Sequence, residues 1–147
     1  MSIVIEGNVK IGGNIGTVGT YRSVYTGGGS YTWIAPPNLL NVQVLLVAGG
    51  GGGGWHANTS SIPGGGGGAG GMIEADVTSS VTSGSHYTIV VGFGGATSRG
   101  SVSSGDNSTA FGLTAIGGGH GAFSGNGAAG GSGGGGAGDV TSSSNLI

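Results

Sequence analysis

Short apolar blocks of strand length recur along the chain, and runs of glycine separate them. Alternation of apolar and polar residues with a period of two is typical of half-buried β-strands. In the sequence MIEADV, Glu74 and Asp76 alternate with apolar residues and are expected to point outward. The block VQVLLV at residues 42–47 predicts a central strand that is buried on both faces over much of its length. We predict strands at residues 31–34, 42–47, 71–77, 87–91 and 111–116.

The opening segment, residues 1–26, mixes isoleucine, valine and tyrosine with glycine, which predicts short strands joined by glycine turns. Pro36 and Pro37 predict a turn between two later strands, because proline cannot donate to a strand ladder. No stretch that is free of glycine and β-branched residues has apolar residues at the three- and four-residue spacing of a helix. We therefore expect an all-β protein. The glycines that we assign to turns in the opening segment are Gly12, Gly13, Gly16 and Gly19.

Glycine contributes 41 of the 147 residues, far above its usual share of about 7%. A disordered Gly/Ser linker is the simplest explanation of such a composition. Disordered chains, however, are poor in apolar residues and rich in charge, whereas this chain is 35% hydrophobic and 5% charged. We therefore expect a folded protein that uses glycine for unusual backbone angles or close backbone contact.

The glycine tracts lack the strict three-residue period of collagen. Consecutive glycines can still form the left-handed polyglycine II helix, which has three residues per turn. Several such helices can pack side by side and exchange hydrogen bonds, because no Cβ keeps their backbones apart. We predict this arrangement for the tracts at residues 49–54, 64–71, 92–95, 117–121 and 125–138.

The chain carries little charge, with a formal net charge of −2 at pH 7, and it has no cysteine. Nucleic-acid binding needs clustered lysine and arginine, so we expect no nucleic-acid partner. Without cysteine there are no disulfides and no thiolate metal sites. No apolar stretch approaches the roughly 20 residues that span a bilayer, so no membrane insertion is expected. Low charge also favours a protein that works inside an assembly.

Three possible chemistries find little support. Residues 117–122 formally fit a dinucleotide-binding fingerprint, but no helix pattern follows to receive the phosphates. No nucleophile elbow lies between a strand and a helix. The three histidines lack metal-ligand spacing; they are His56, His86 and His120. We expect no enzyme activity, no cofactor and no metal site.

Large side chains that interrupt the glycine tracts are the best candidates for binding a receptor or partner. Aromatic rings flanked by polar groups suit recognition of sugars or protein surfaces, because a ring offers contact area at low entropy cost. An equally simple alternative is that Trp55 and Phe123 pack against the flat glycine surface. The candidates are Trp55, His56, Asn58, His120, Phe123 and Asn126.

An aromatic strand, a Pro-Pro turn and an aliphatic strand run directly into six glycines at residues 31–54. Glycine tracts and the blocks at residues 72–77, 87–95 and 106–116 follow in order. As an ordered set, these motifs over residues 27–138 resemble the glycine-rich domain of phage tail-fibre and fibre-tip, receptor-binding proteins.

The resemblance implies a small β-sandwich that carries polyglycine helices and presents loops for attachment to the host surface. It further implies location in the virion, in the tail or a fibre. The implied partners are other tail or fibre proteins, a host cell-surface protein or glycan, and copies of the chain itself, with a trimer favoured. Both the tip and the shaft of a fibre remain open as positions.

We treat residues 1–26 as an N-terminal β segment for attachment or oligomerisation, and residues 27–147 as the glycine-rich β domain. The N-terminal segment could equally be a simple cap on the same sandwich. The alternative function is an extracellular polyglycine structural or ice-binding protein without a receptor role. Ice binding would need regular repeats and a flat repetitive face, whereas these tracts are irregular.

Overall fold

The computed structural model describes residues 1–12, 17–55, 63–98 and 101–138. Within these ranges the protein is all-β, as predicted, with a three-residue 3₁₀ turn at Thr78–Ser80. The strands are β1 (Ser2–Lys10), β2 (Val18–Thr26), β3 (Gly29–Ile34), β4 (Leu39–Val47), β5 (Met72–Asp76), β6 (His86–Val91), β7 (Thr97–Ser98), β8 (Ser101–Val102), β9 (Ser108–Ala110) and β10 (Leu113–Ala115).

Two four-stranded antiparallel sheets form a small β-sandwich. The first sheet has the strand order β2-β1-β4-β5, and the second has the order β10-β9-β6-β3. Strands β7 and β8 pair separately as a short hairpin. The turn predicted at the two prolines joins β3 to β4, and Asn38 in this turn has a φ of 56°.

The core lies between the two sheets and is filled by alternate residues of the strands. Because successive side chains of a strand point to opposite faces, each strand contributes every second residue. The prediction that block 42–47 is buried on both faces is wrong in part: Gln43 is exposed, while Leu45 and Val47 are half-buried. The largest buried apolar residues are Ile3, Ile5, Trp33, Val42, Val44, Leu46, Ile89 and Val91.

The opening segment forms two nine-residue strands rather than several short ones. Strand β1 lies between β2 and β4, in the middle of the first sheet. Gly19 was assigned to a turn, but it lies inside β2, where the Ile11 side chain occupies the space of a Cβ. Gly12 has a φ of +75° and lies in a bend, while Gly13 and Gly16 are outside the described residues. An attachment role for this segment stays a prediction.

Seven extended segments, six of them glycine-rich, leave one end of the sandwich within the described residues. In chain order, segments 1 to 7 are residues 48–55, 63–71, 92–96, 103–107, 116–122, 127–131 and 132–138. Segments 1, 3 and 5 continue β4, β6 and β10, whereas segments 2 and 4 lead into β5 and β9. Their mutual hydrogen bonds hold them in one glycine bundle.

Hydrogen bonds between the segments repeat every third residue. In segment 1, the amides of Ala48, Gly51 and Gly54 donate to segment 2 over 3.0, 2.9 and 2.7 Å. In segment 5, the amides of Gly118 and Gly121 donate to carbonyls of segment 1 over 2.8 and 2.9 Å. None of the glycines with positive φ lies within a segment. This period of three matches the three residues per turn of polyglycine II, as predicted.

Glycine is required in the middle of the bundle because the backbones touch there. A Cβ on Gly51 would overlap the carbonyl oxygen of Gly119 in segment 5. A Cβ on Gly118 or Gly121 would likewise overlap a carbonyl of segment 2. The glycine excess therefore serves close backbone packing.

Candidate binding site at the far end of the glycine bundle

At the end of the bundle opposite the sandwich lie the described residues where paired segments end or begin. These are Trp55 and Pro63 of segments 1 and 2, strands β7 and β8 between segments 3 and 4, and residues 123–126 between segments 5 and 6. They share this end because the segments leave the sandwich together and run side by side. We call this surface the far end.

Two exposed aromatic residues extend from hydrogen-bonded glycine segments at the far end. Trp55 follows Gly54, whose amide donates to the carbonyl of Gly65 over 2.7 Å. The amide of Gly65 in turn donates to Ala122, the residue before Phe123, over 2.8 Å. Trp55 and Phe123 are 48% and 42% exposed, so both present ring surface to solvent.

Asn126 shares the turn of Phe123. The turn uses Gly125 at a φ of +74°, a left-handed angle that side chains other than glycine rarely adopt. The amide of Ala137 in segment 7 donates to the Gly125 carbonyl over 2.8 Å and fixes the turn to the bundle. Asn126 is exposed there.

His120 lies within segment 5, one polyglycine turn before Phe123, and is half-buried. Its amide donates to the Ser104 hydroxyl over 3.2 Å, and its Nδ1 lies 3.2 Å from the Gly121 carbonyl oxygen. His120 therefore lies on the side of the bundle rather than at its end. Two further candidates, His56 and Asn58, are outside the described residues.

The hairpin of β7 and β8 also borders the far end and was not predicted from the sequence. Its base is held by the amide of Ala96, which donates to the Ser103 hydroxyl over 2.9 Å. A Cβ on Gly52 would overlap the carbonyl of Ala96, so the hairpin starts directly beside segment 1. The sequence does carry a signal for this hairpin. Residues 97–102 read Thr-Ser-Arg-Gly-Ser-Val, and a glycine between two short polar or β-branched pairs is typical of a turn.

Among its described residues, the far end combines aromatic surface with the hydroxyl groups of Thr97, Ser98 and Ser101. Across the described ranges, no group of three or more His, Cys, Asp or Glu residues is placed to hold a metal ion. The same ranges contain no helix long and apolar enough to cross a membrane. Exposed rings beside polar groups suit recognition of another surface.

The fold and this site define a β-sandwich extended by a polyglycine bundle with exposed connecting loops. A family model described as a glycine-rich domain matches residues 9–146. The chain therefore belongs to this glycine-rich domain family. Comparisons with curated proteins and with solved structures gave no match.

Proposed function

We propose that this protein is a structural and binding component of a phage tail or tail fibre, and that its far end attaches to a host-surface protein or glycan. The observation that carries the proposal is the placement of Trp55 and Phe123. Both are exposed, and the residues before them, Gly54 and Ala122, are linked by hydrogen bonds through the backbone of Gly65. Recognition groups are commonly carried on loops that a regular scaffold positions.

The glycine bundle suits this role. At about 3.1 Å per residue, the eight residues of segment 1 project the loops by roughly 25 Å. Backbone hydrogen bonds hold the segments, so the far-end loops can change in sequence without changing the packing below them. The partners in this proposal are other tail or fibre proteins and further copies of the chain, with a trimer favoured by analogy with fibres.

The phage assignment is supported by the ordered motifs at residues 31–54, 72–77, 87–95 and 106–116. Immunogold electron microscopy tests it, using phage particles that carry this gene and antibodies against the purified chain. Labelling of tails or fibres is expected. Particles without label, or label confined to the capsid, would contradict the proposal.

Adsorption assays test the far end. The purified full chain is expected to compete with particles for host cells, and the double variant Trp55→Ala, Phe123→Ala is expected to compete at least several-fold less well. Phe93→Ala is the matched control, because Phe93 is 56% exposed near the base of the bundle, where it contacts Gly28. Equal competition by the two variants would remove the aromatic pair from the site.

A further inference from the structure

A concave surface lies on the sandwich, away from the bundle. It is a groove of about 590 Å³ on the outer face of the first sheet, across β2, β1 and β4. Gly7 and Tyr21 contribute to its lining. The remaining lining side chains are all polar; they are Glu6, Asn8, Thr20, Arg22, Asn41 and Gln43.

Strand register arranges these six side chains as two rows of three. Glu6 on β1 lies opposite Arg22 on β2 and Gln43 on β4. Asn8 in the same way lies between Thr20 and Asn41. Neighbouring strands are about 4.8 Å apart, and the rows are about 7 Å apart along the strands. The groove thus offers hydrogen-bonding groups at intervals that several polar groups along one short, extended ligand can reach together.

One of the side chains is fixed before any ligand binds. The amide of Asn8 donates to Oδ1 of Asn41 over 2.6 Å, which leaves the NH₂ group of Asn41 as a donor. The Tyr21 hydroxyl donates to the Asn41 backbone carbonyl over 3.2 Å. Gly7 makes this possible, because its Cβ would overlap that carbonyl. Burial raises the pKa of Tyr21 to about 12, so the hydroxyl keeps its proton into the alkaline range.

The charges in the groove cancel. Arg22 Nε lies 3.6 Å from the Glu6 carboxylate, and the two side chains are 65% and 52% exposed. Such an exposed pair adds little stability, but it presents donors and acceptors side by side. A single ion would meet no net charge, and an apolar ligand would find no apolar side chain.

We propose that this groove binds a neutral oligosaccharide, whose hydroxyl groups pair with the two rows of amide, hydroxyl, guanidinium and carboxylate groups. The site is independent of the far end and of any role in a phage particle. No aromatic ring stacks on the sugar, since Tyr21 points into the sandwich and contacts Trp33 at 6.3 Å between ring centroids. Binding by hydrogen bonds alone gives dissociation constants on the order of millimolar.

NMR titration of the ¹⁵N-labelled full chain tests the proposal, with maltohexaose and chitotetraose as probes. Saturable shifts are expected in the side-chain amide signals of Asn8, Asn41 and Gln43. Glycerol at the same hydroxyl concentration is the comparison. If neither sugar shifts these signals in a saturable way, or if glycerol shifts them equally, the groove is only a hydrated surface and the proposal is overturned.

Variants then locate the binding. Thr20→Ala combined with Gln43→Ala is expected to weaken sugar binding about tenfold, because both exposed side chains lose their hydrogen-bonding groups. Thr32→Ala is the matched control, since Thr32 is an exposed strand threonine on the outer face of the second sheet. An equal loss in the control would contradict the site. The double variant of Trp55 and Phe123 is expected to bind as the unaltered chain does, which separates this site from the far end.

Discussion

Gly51 shows that the requirement for glycine in the bundle differs from one position to the next. Its φ is not positive, so its backbone angles are open to other residues. The obstacle is the carbonyl oxygen of Gly119, which occupies the space of a Cβ. Gly66 in segment 2 differs, because nothing lies within 4 Å of a Cβ built there.

This contrast predicts opposite effects of the same substitution. Gly51→Ala is expected to lower the free energy of unfolding by at least about 1–3 kcal/mol, the usual cost of overpacking. Gly66→Ala is expected to leave it unchanged or to raise it by about 0.4–1 kcal/mol, because the unfolded chain loses freedom. Urea unfolding measures both variants. Equal midpoints would show that the backbones are not in contact at Gly51.

Tyr21 predicts a dependence of stability on alkaline pH. Burial raises its pKa from 10.0 to about 12 in the folded protein, so the folded state keeps a proton that the unfolded state releases. The stability linked to this proton is complete below the unfolded pKa of 10.0 and is lost as pH rises towards 12. Burial also raises the pKa of Tyr25, which adds an effect of the same sign.

Thermal unfolding across this pH range, with tyrosinate absorbance recorded in parallel, checks the prediction. Tyr21→Phe is expected to reduce the loss of stability above pH 10.0 without abolishing it. A pH profile that is identical in the variant would show that Tyr21 ionises equally in the folded and unfolded states.

At the scale of elements, Ser108 connects the two sheets at the point where strands become glycine segments. Its hydroxyl donates to the carbonyl of Val47, the last residue of β4, over 2.9 Å. The same oxygen accepts from the amide of Gly92, which follows β6, over 2.9 Å. Ser108 is completely buried, so water cannot replace these bonds.

Ser108→Ala is therefore expected to destabilise the protein by about 1–3 kcal/mol, since it leaves a buried amide and carbonyl without this partner. Ser103→Ala is the control. Ser103 is exposed, and its hydroxyl also accepts one backbone amide, that of Ala96, where water can take its place. Chemical denaturation should separate the two variants clearly; similar losses would mean that burial at Ser108 has no special effect.

Periodicity predicted most of the elements, and each of the five predicted blocks overlaps a strand. It missed β9, because the three residues Ser-Thr-Ala carry no pattern of their own and pair only through tertiary contacts. It also assigned Gly19 to a turn, since the packing of Ile11 on that glycine is not visible in the order of residues.

The candidate sites differ in how far the sequence could predict them. Trp55 and Phe123 stand out because no apolar block surrounds them, and both are exposed in the structure. The groove could not be predicted in this way. Its side chains come from three strands, and only the register of β1 with β2 and β4 brings Asn8, Thr20 and Asn41 together.

At the scale of the whole molecule, sandwich and bundle are connected at five junctions between strands and glycine segments. Segment 5 is mostly buried, like the central strands, and it bonds to segments 1, 2, 4, 6 and 7. We therefore expect the bundle and the sandwich to unfold together.

Amide hydrogen exchange checks this expectation. The amides of Gly118 and Gly121 are buried and hydrogen-bonded, so they should exchange as slowly as those of the central strand β1. The amide of the exposed residue Gly66 should exchange quickly. Fast exchange at Gly118 and Gly121 beside slow exchange in β1 would mean that the bundle opens on its own.

The three-residue repeat of the bundle also limits how such a protein can change in length. Inserting three glycines into a segment adds one full turn and returns every later amide to its original direction. Inserting one or two rotates the rest of the segment by about a third or two thirds of a turn, which points its donors away from their acceptors. A longer rod of this design would therefore grow in whole turns, and in neighbouring segments at once.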